Sequence, residues 1–190
     1  DIIGAKFVRE VDNGEIVIIE DDKIKSIKPF PLKKIRPCVF EYIYFSRPDS
    51  ILNGKSAYEH RKNLGKELAR ENNLNADIVV PVPDSGNASA LGFAEKIKKK
   101  FEFGIIRNHY TGRTFIQDSN SIRHLAVKLK HNPNIASLKN KNIALIDDSI
   151  VRGTTSIKIV EMLRNCGAKK IHMRIASPPV RYPCFYGIDT

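Results

Sequence analysis

The stretch Asn142-Ile143-Ala144-Leu145-Ile146-Asp147-Asp148-Ser149-Ile150-Val151-Arg152-Gly153-Thr154-Thr155-Ser156 decides the fold. A short apolar run, Asn142–Ile146, reads as a strand buried on both faces. It runs into a polar loop, 147–155. A helix follows over Ile157–Asn165, with Ile159, Val160 and Leu163 turned inward and Gly167 as its stop, and then a second strand over Lys170–Ala176. Upstream the same order recurs. Asp77–Val82 is a β-branched run, Pro83-Asp84-Ser85-Gly86-Asn87 is a turn, and Leu91, Ala94 and Ile97 mark a helix. Strand, loop and helix in alternation predict an α/β fold with a central parallel sheet flanked by helices.

In such sheets ligands sit beyond the carboxyl ends of the strands, where a loop feeds a helix N-terminus. Free backbone N–H groups and the helix dipole attract phosphate there. Gly153, Thr154, Thr155 and Ser156 add a close-approaching backbone and hydroxyl donors. Asp147 and Asp148 would repel a bare phosphate but suit sugar hydroxyls and Mg²⁺. The pattern describes a ribose phosphate site with a metal, and equally two acids matched to a helix dipole. In the upstream turn, Asp84, Ser85 and Gly86 offer an acid, a hydroxyl and close backbone approach to a diphosphate, or simply close a strand.

Elsewhere the readings are coarser. Gly14–Ile19 and Lys23–Ile27, joined by Glu20-Asp21-Asp22, read as a hairpin, and Pro29, Pro31 and Pro37 mark a linker over 29–37. Val39–Phe45 reads as β-prone. Ser56 and Glu59 have capping-box spacing, and Tyr58, Arg61, Leu64 and Leu68 mark one face of a helix reaching Asn72. Asn108–Leu138 shows little apolar periodicity. From Ile105 to His131 it carries Arg107, Arg113, Arg123, Lys128 and Lys130 against Asp118, which predicts a flap over an anion or a solvated basic loop.

Composition bounds the function. With 42% hydrophobic residues among 190, the chain can bury a core, so wholesale disorder is excluded. No apolar run approaches the ~18 residues needed to span a bilayer, and a cytoplasmic protein is expected. Lys+Arg 32 against Asp+Glu 21 gives +11, which favours an anionic partner. Cys38, Cys166 and Cys184 are too few for a disulfide scaffold and fit reduced thiols or metal ligands.

The segment 145–156 resembles the phosphoribosyl pyrophosphate (PRPP) motif of the type I phosphoribosyltransferases. Further blocks narrow the likeness: Glu41-Tyr42-Ile43-Tyr44-Phe45-Ser46-Arg47-Pro48-Asp49, Val82-Pro83-Asp84-Ser85-Gly86, Tyr110-Thr111-Gly112-Arg113-Thr114-Phe115-Ile116-Gln117, Ser177-Pro178-Pro179, and Pro183-Cys184-Phe185-Tyr186-Gly187-Ile188-Asp189. In this order they resemble the glutamine phosphoribosylpyrophosphate amidotransferase family. The resemblance implies a pentosyltransferase that displaces pyrophosphate from PRPP with glutamine-derived ammonia, giving 5-phosphoribosylamine at the first committed step of purine biosynthesis. It implies that residues 1–35 are the tail of a glutaminase domain with its linker, that 36–190 hold most of the transferase domain, and that the glutaminase nucleophile lies outside the chain.

Carried over by resemblance, Asp147 and Asp148 hold the ribose and Mg²⁺, with Ser85 at the metal. Arg152, Gly153, Thr154 and Thr155 line the 5-phosphate cradle, and Ser149 is a further PRPP-binding residue. Asp84, Ser85 and Gly86 serve the diphosphate, Arg107 binds PRPP at the start of a loop over 107–116 that closes over it, and Arg113 in that loop contacts the pyrophosphate and is a catalytic candidate beside the two acids. Arg107 and His109 depart from the family's commoner Lys and Arg. Cys38 and Cys184 match two ligands of a [4Fe–4S] cluster whose other two lie outside this chain; the alternative is structural thiols. Purine nucleotides as feedback inhibitors and a homo-oligomer are likewise implied, with no nucleic acid and no membrane as partners. Two rival readings remain: a PRPP-sensing regulator, against which the block Tyr110–Ile116 belongs with catalysis, and a salvage or orotate phosphoribosyltransferase, told apart by whether ammonia or a nucleobase accepts the ribosyl group.

Overall fold

The protein is described by a computed structural model covering residues 4–21, 23–71, 74–108 and 131–186. The chain divides into two compact units, Asp1–Cys38 and Val39–Thr190. No helix among the described residues is long and apolar enough to cross a membrane.

In the first unit, β1 (Ile16–Glu20) and β2 (Lys23–Ile27) form the expected antiparallel hairpin, from Ile16 opposite Ile27 to Glu20 opposite Lys23. A two-stranded ribbon has no inside, so its order leans on polar ties. The Glu15 side chain is only 1% exposed. It accepts both Arg9 guanidinium nitrogens at 2.9 and 2.6 Å, the Asp12 N–H at 2.7 Å and the Ser26 hydroxyl. The Arg9 bonds, then Ser26 and Asp12, pull its pKa from 4.5 down to about 2. A depressed carboxylate stabilises the fold above its unfolded value and stops doing so as pH falls through its folded value. Hairpin order should therefore be lost between about pH 4.5 and pH 2, and Glu15→Gln should flatten that dependence when followed by NMR.

The second unit holds a four-stranded parallel sheet in the order β10 (Lys170–Ile175), β9 (Asn142–Asp147), β5 (Ile78–Pro81), β6 (Lys100–Phe101). Residues alternate between faces. Val79, Ala144, Ile146 and Ala176 meet Leu68, Ala69, Ala90 and Phe93 of helices α1 (Ala57–Glu71) and α2 (Asn87–Ile97). Ile78, Val80, Ile143 and Leu145 meet Ile159 and Leu163 of a helix over Thr154–Asn165 and Leu138 of a short one over Ile135–Leu138, here α4 and α3. The expected parallel sheet between helical layers is present. The Glu59 N–H donates to Ser56 Oγ at 3.3 Å, one arm of the anticipated capping box at the start of α1.

Two expectations need correction. Val39–Phe45 forms no strand; Glu41–Phe45 is a single wide helical turn. Its carbonyls are claimed by Arg61, which is 5% exposed on α1 and donates from Nε to Tyr42 O at 2.9 Å and from Nη2 to Ser46 O at 2.8 Å. That tie overrides the β propensity of Tyr and Ile. Arg61→Met should leave those carbonyls unpaired and cost about 2–4 kcal/mol, read as a lower urea midpoint that Lys restores only in part.

The second correction concerns Asn108–Leu138. Its last part is packed: β8 (His131–Pro133) pairs antiparallel with β7 (Ile105–Arg107), and Leu138 is fully buried. Non-local pairing and a single apolar anchor suffice there without periodicity. Residues 109–130 lie outside the described residues. Two further strands, β3 (Ile51–Leu52) and β4 (Lys55–Ser56), make a small antiparallel pair before α1.

Candidate functional site

Strand β9 is buried along almost its whole length and delivers Asp147 and Asp148 at its carboxyl end, 7% and 5% exposed. The Asp148 N–H donates to Asp147 Oδ1 at 2.9 Å, and Ser149 Oγ donates to Asp148 Oδ2 at 2.6 Å. The Asp147 and Asp148 carbonyls accept from the N–H groups of Ala176 (2.9 Å) and Ser177 (2.8 Å), which ties the pair to the end of β10. Burial first, then the Asp148 charge, raise the Asp147 pKa from 3.8 to about 8. An acid whose proton is held this tightly beside a second carboxylate gains from a cation placed between the two.

Gly153 follows in the left-handed region, φ +72°, with nothing within 4 Å of where a Cβ would stand. It caps α4 with no side-chain hydrogen bond, so the first N–H groups of the helix keep their donors for another partner. Arg152, Thr154 and Thr155 are exposed around this start, and Gly153 is half-buried. A loop closed by glycine, opening a twelve-residue helix beside buried acids, is suited to an anion and its counter-cation.

The turn after β5 lies next to this loop because Pro81 pairs with Ile146. The Val82 N–H donates to Ile146 O and the Gly86 N–H to Val82 O, at 2.8 and 2.9 Å. Only glycine fits at 86, since a Cβ would stand 2.5 Å from Ile146 O and 2.8 Å from Val82 O. Asp84 is exposed and Ser85 half-buried. Arg107, at the end of β7, forms an ion pair with Asp84. The structure thus brings together Asp84, Ser85, Gly86, Arg107, Asp147, Asp148, Ser149, Arg152, Gly153, Thr154 and Thr155. Arg113 and His109 lie outside the described residues.

A cavity of about 590 Å³ flanks the loop, with Ser149, Ile150 and Val151 on one wall and Phe40, Ile175 and Tyr182 among the others. Arg61, which the sequence pattern places only on one face of α1, also supports the site. Burial pulls its pKa down and the Asp148 charge opposes that, so this buried cation faces the acid pair electrostatically. A cation on the apolar face of α1 was the signal.

A phosphoribosyl transferase domain model matches residues 48–176, more than half the chain. The chain belongs to the phosphoribosyl transferase domain family. Over its whole length this family member is 54% identical to an amidophosphoribosyltransferase of Rhizobium etli and 49% identical to that of Bacillus subtilis, spanning 39% and 40% of those proteins. It therefore spans about two fifths of the curated relatives it matches. Among solved structures it resembles the B. subtilis glutamine PRPP amidotransferase complexed with ADP and GMP, at a TM-score of 0.83 and 48% identity, covering all of this chain and 42% of that one. An allosteric regulatory enzyme of purine biosynthesis superposes equally well, at 47% identity.

The donor sets bear differently on the two implied inorganic groups. The described residues hold no cluster of three or more His, Cys, Asp or Glu side chains. Mg²⁺ needs none, since one or two carboxylates plus substrate phosphates are its usual complement, and the doubly acidic Asp147–Asp148 corner fits it. A [4Fe–4S] cluster wants four thiolates, whereas the chain has three cysteines. Cys38 is exposed in the first unit, Cys184 half-buried in the second, and Cys166 packs half-buried against the core at the end of α4. These residues alone do not fit the cluster.

Proposed function

We propose that this chain carries the PRPP-binding transferase part of an amidophosphoribosyltransferase. The complete protein would exchange the pyrophosphate of PRPP for glutamine-derived ammonia and release 5-phosphoribosylamine for purine biosynthesis. One observation carries the reading: a buried acid pair abuts a glycine-capped helix start and a glycine-tight turn, within a chain about half identical over its full length to amidophosphoribosyltransferases.

In this reading Asp147 and Asp148 hold the ribose hydroxyls and, with Ser85, Mg²⁺. Arg152, Gly153, Thr154 and Thr155 cradle the 5-phosphate beside Ser149. Asp84, Ser85 and Gly86 receive the diphosphate, and Arg107 exchanges Asp84 for it. Arg113 serves the leaving group. Mg²⁺, when bound, would neutralise charge on the diphosphate. The chain's own part is to orient C1, supply N–H and guanidinium donors where charge grows on the leaving oxygens, and exclude water. Ammonia is nucleophilic enough that no His or Cys nucleophile is required here.

The remaining assignments follow the relatives. Residues 1–35 are proposed as the tail of a glutaminase domain, and purine nucleotides as inhibitors, in line with the ADP and GMP in the B. subtilis structure. A homo-oligomeric, cytoplasmic enzyme is proposed, and Cys38 and Cys184 would ligate a cluster only if two further thiolates joined them. The reading is tested by titrating this chain with PRPP and Mg²⁺ and then measuring ammonia-dependent pyrophosphate release. Binding with release supports it in full. A folded sample that binds no PRPP overturns it.

A further inference from the structure

The phosphate site occupies the carboxyl ends of β5 and β9, and the other end of the same sheet has a different character. Parallel strands begin together: Ile78 pairs with Lys100 and with Ile143, and Asn142 pairs with Lys170. The connections that enter these strands carry Lys98 and Lys99 before β6, Lys139 and Lys141 before β9, and Lys169 and Lys170 at β10, all exposed. The Lys169 N–H donates to Lys141 O at 2.9 Å and the Asn140 N–H to Gly167 O at 2.8 Å, which fuses two of these entrances into one rim.

Two acids stand nearby, one paired with a lysine and one, Asp77, exposed and hydrogen-bonded only to a backbone N–H, so its charge offsets part of the rim's. Glu102 pairs with Lys100 at 2.8 Å, and Asp77 Oδ2 accepts the Asn142 N–H at 2.7 Å. None of the ion pairs found among the described residues includes any of the six lysines named above. The resulting field reaches its surroundings: besides burial, Lys170 and Arg174 hold the His172 imidazole below its ordinary pKa. With strands roughly 4.8 Å apart and three intervals from β10 to β6, the rim is about 14 Å across, so neighbouring lysines act together within a Debye length of about 10 Å while those at its two ends are screened from each other at ordinary salt.

We infer that this rim binds the phosphate backbone of a nucleic acid without regard to sequence. Ammonium groups on flexible stems suit a row of phosphates as point charges. Across 98–100, 139–141 and 167–170 the exposed residues are lysines, Asn140 and Gly167. Those segments present no aromatic face on which a base would stack and no apolar centre for a protein partner to bury, and the exposed Phe103 beyond β6 packs edge-on against Phe101. The family resemblance implies no nucleic-acid partner, but it speaks to the opposite end of the sheet. The inference is independent of the proposed transferase reading.

The test is fluorescence anisotropy of this chain with a labelled RNA 20-mer and a DNA duplex of equal length, from about 50 to 200 mM salt. Six lysines meeting six phosphates predict a slope of log K against log salt near −5 for the duplex and equal affinity for unrelated sequences. Reversing Lys139, Lys141, Lys169 and Lys170 to Glu should weaken binding at least about tenfold and flatten the slope by roughly 3 to 4, with the thermal midpoint little changed. The Gln version of the same four should fall between. Variants that bind like the parent overturn the inference. So does displacement of the oligonucleotide by millimolar Mg²⁺–pyrophosphate, which would move the contact to the phosphate site. Equal competition by poly-glutamate of matched charge would point to an acidic protein instead and also overturn it.

Discussion

Replacing Asp147 and Asp148 together by Asn is expected to weaken Mg²⁺-dependent PRPP binding by at least about a hundredfold while leaving the fold more stable than before. Both acids are buried at the end of β9, and burial with mutual repulsion lifts the Asp147 pKa to about 8. For an acid whose folded pKa is raised above the unfolded 3.8, the folded state holds the proton more tightly. The contribution of this acid to stability is then greatest below pH 3.8 and declines as pH rises through the window from 3.8 to about 8. Asn carries no charge to desolvate, so the double variant should lose that decline and gain midpoint at pH 8 relative to the parent. Mg²⁺ should raise the midpoint of the parent and leave the variant unmoved. Calorimetric titration with PRPP should show at least about a hundredfold weaker binding, in keeping with the several kcal/mol lost when an ion's charged ligands go. A variant with a higher midpoint and undiminished PRPP affinity would refute the site; one that fails to gain midpoint would refute the electrostatic account of the pair.

The acid pair was legible because β9 is an uninterrupted apolar run, and such a run has one place to go in an α/β sheet: the middle. Its end, and therefore the positions of Asp147 and Asp148, followed from that. Gly153 was readable as a site for φ > 0 at the start of a helix. The Glu41–Phe45 turn was not readable, because its carbonyls are satisfied by Arg61 from fifteen to twenty residues away, and propensity knows nothing of distant donors. His131–Leu138 was missed for a related reason. Three residues of strand pairing and one buried leucine make no periodic pattern. The Arg107–Asp84 pair spans two elements whose proximity only the fold supplies. Cys38 and Cys184 illustrate the converse: two positions that match a ligand pattern make no cluster without two more thiolates.

Gly65→Ala and Gly92→Ala should be among the most damaging single-methyl changes in the second unit. Helices α1 and α2 cross with backbone against backbone: a Cβ on Gly65 would stand 1.8 Å from Ser89 O, and one on Gly92 would stand 1.9 Å from Lys62 O. Both obstacles are main chain, so no rotamer change relieves them. The helices would have to separate along a seam also held by Lys62 and Lys66 on Glu95, at 2.7 and 3.4 Å, and by Ser89 Oγ donating to Arg61 O at 3.1 Å. Separation would in turn open the packing of Phe93 and Ala90 on the sheet. Overpacking costs typically 1–3 kcal/mol and more against rigid backbone, so roughly 3–5 kcal/mol is expected for either substitution, well above the gain of a few tenths to 1 kcal/mol from helix propensity. The consequence reaches the site, because α2 begins directly after the Asp84–Gly86 turn. If the turn receives the diphosphate as proposed, any Gly65→Ala protein that still folds should bind pyrophosphate more weakly, whereas the Gly153→Ala protein, with open space and only left-handed strain, should lose about 1 kcal/mol. Urea midpoints for the three glycine variants decide the matter: equal losses at 65 and 153 would mean that the crossing is looser than its backbone contacts require.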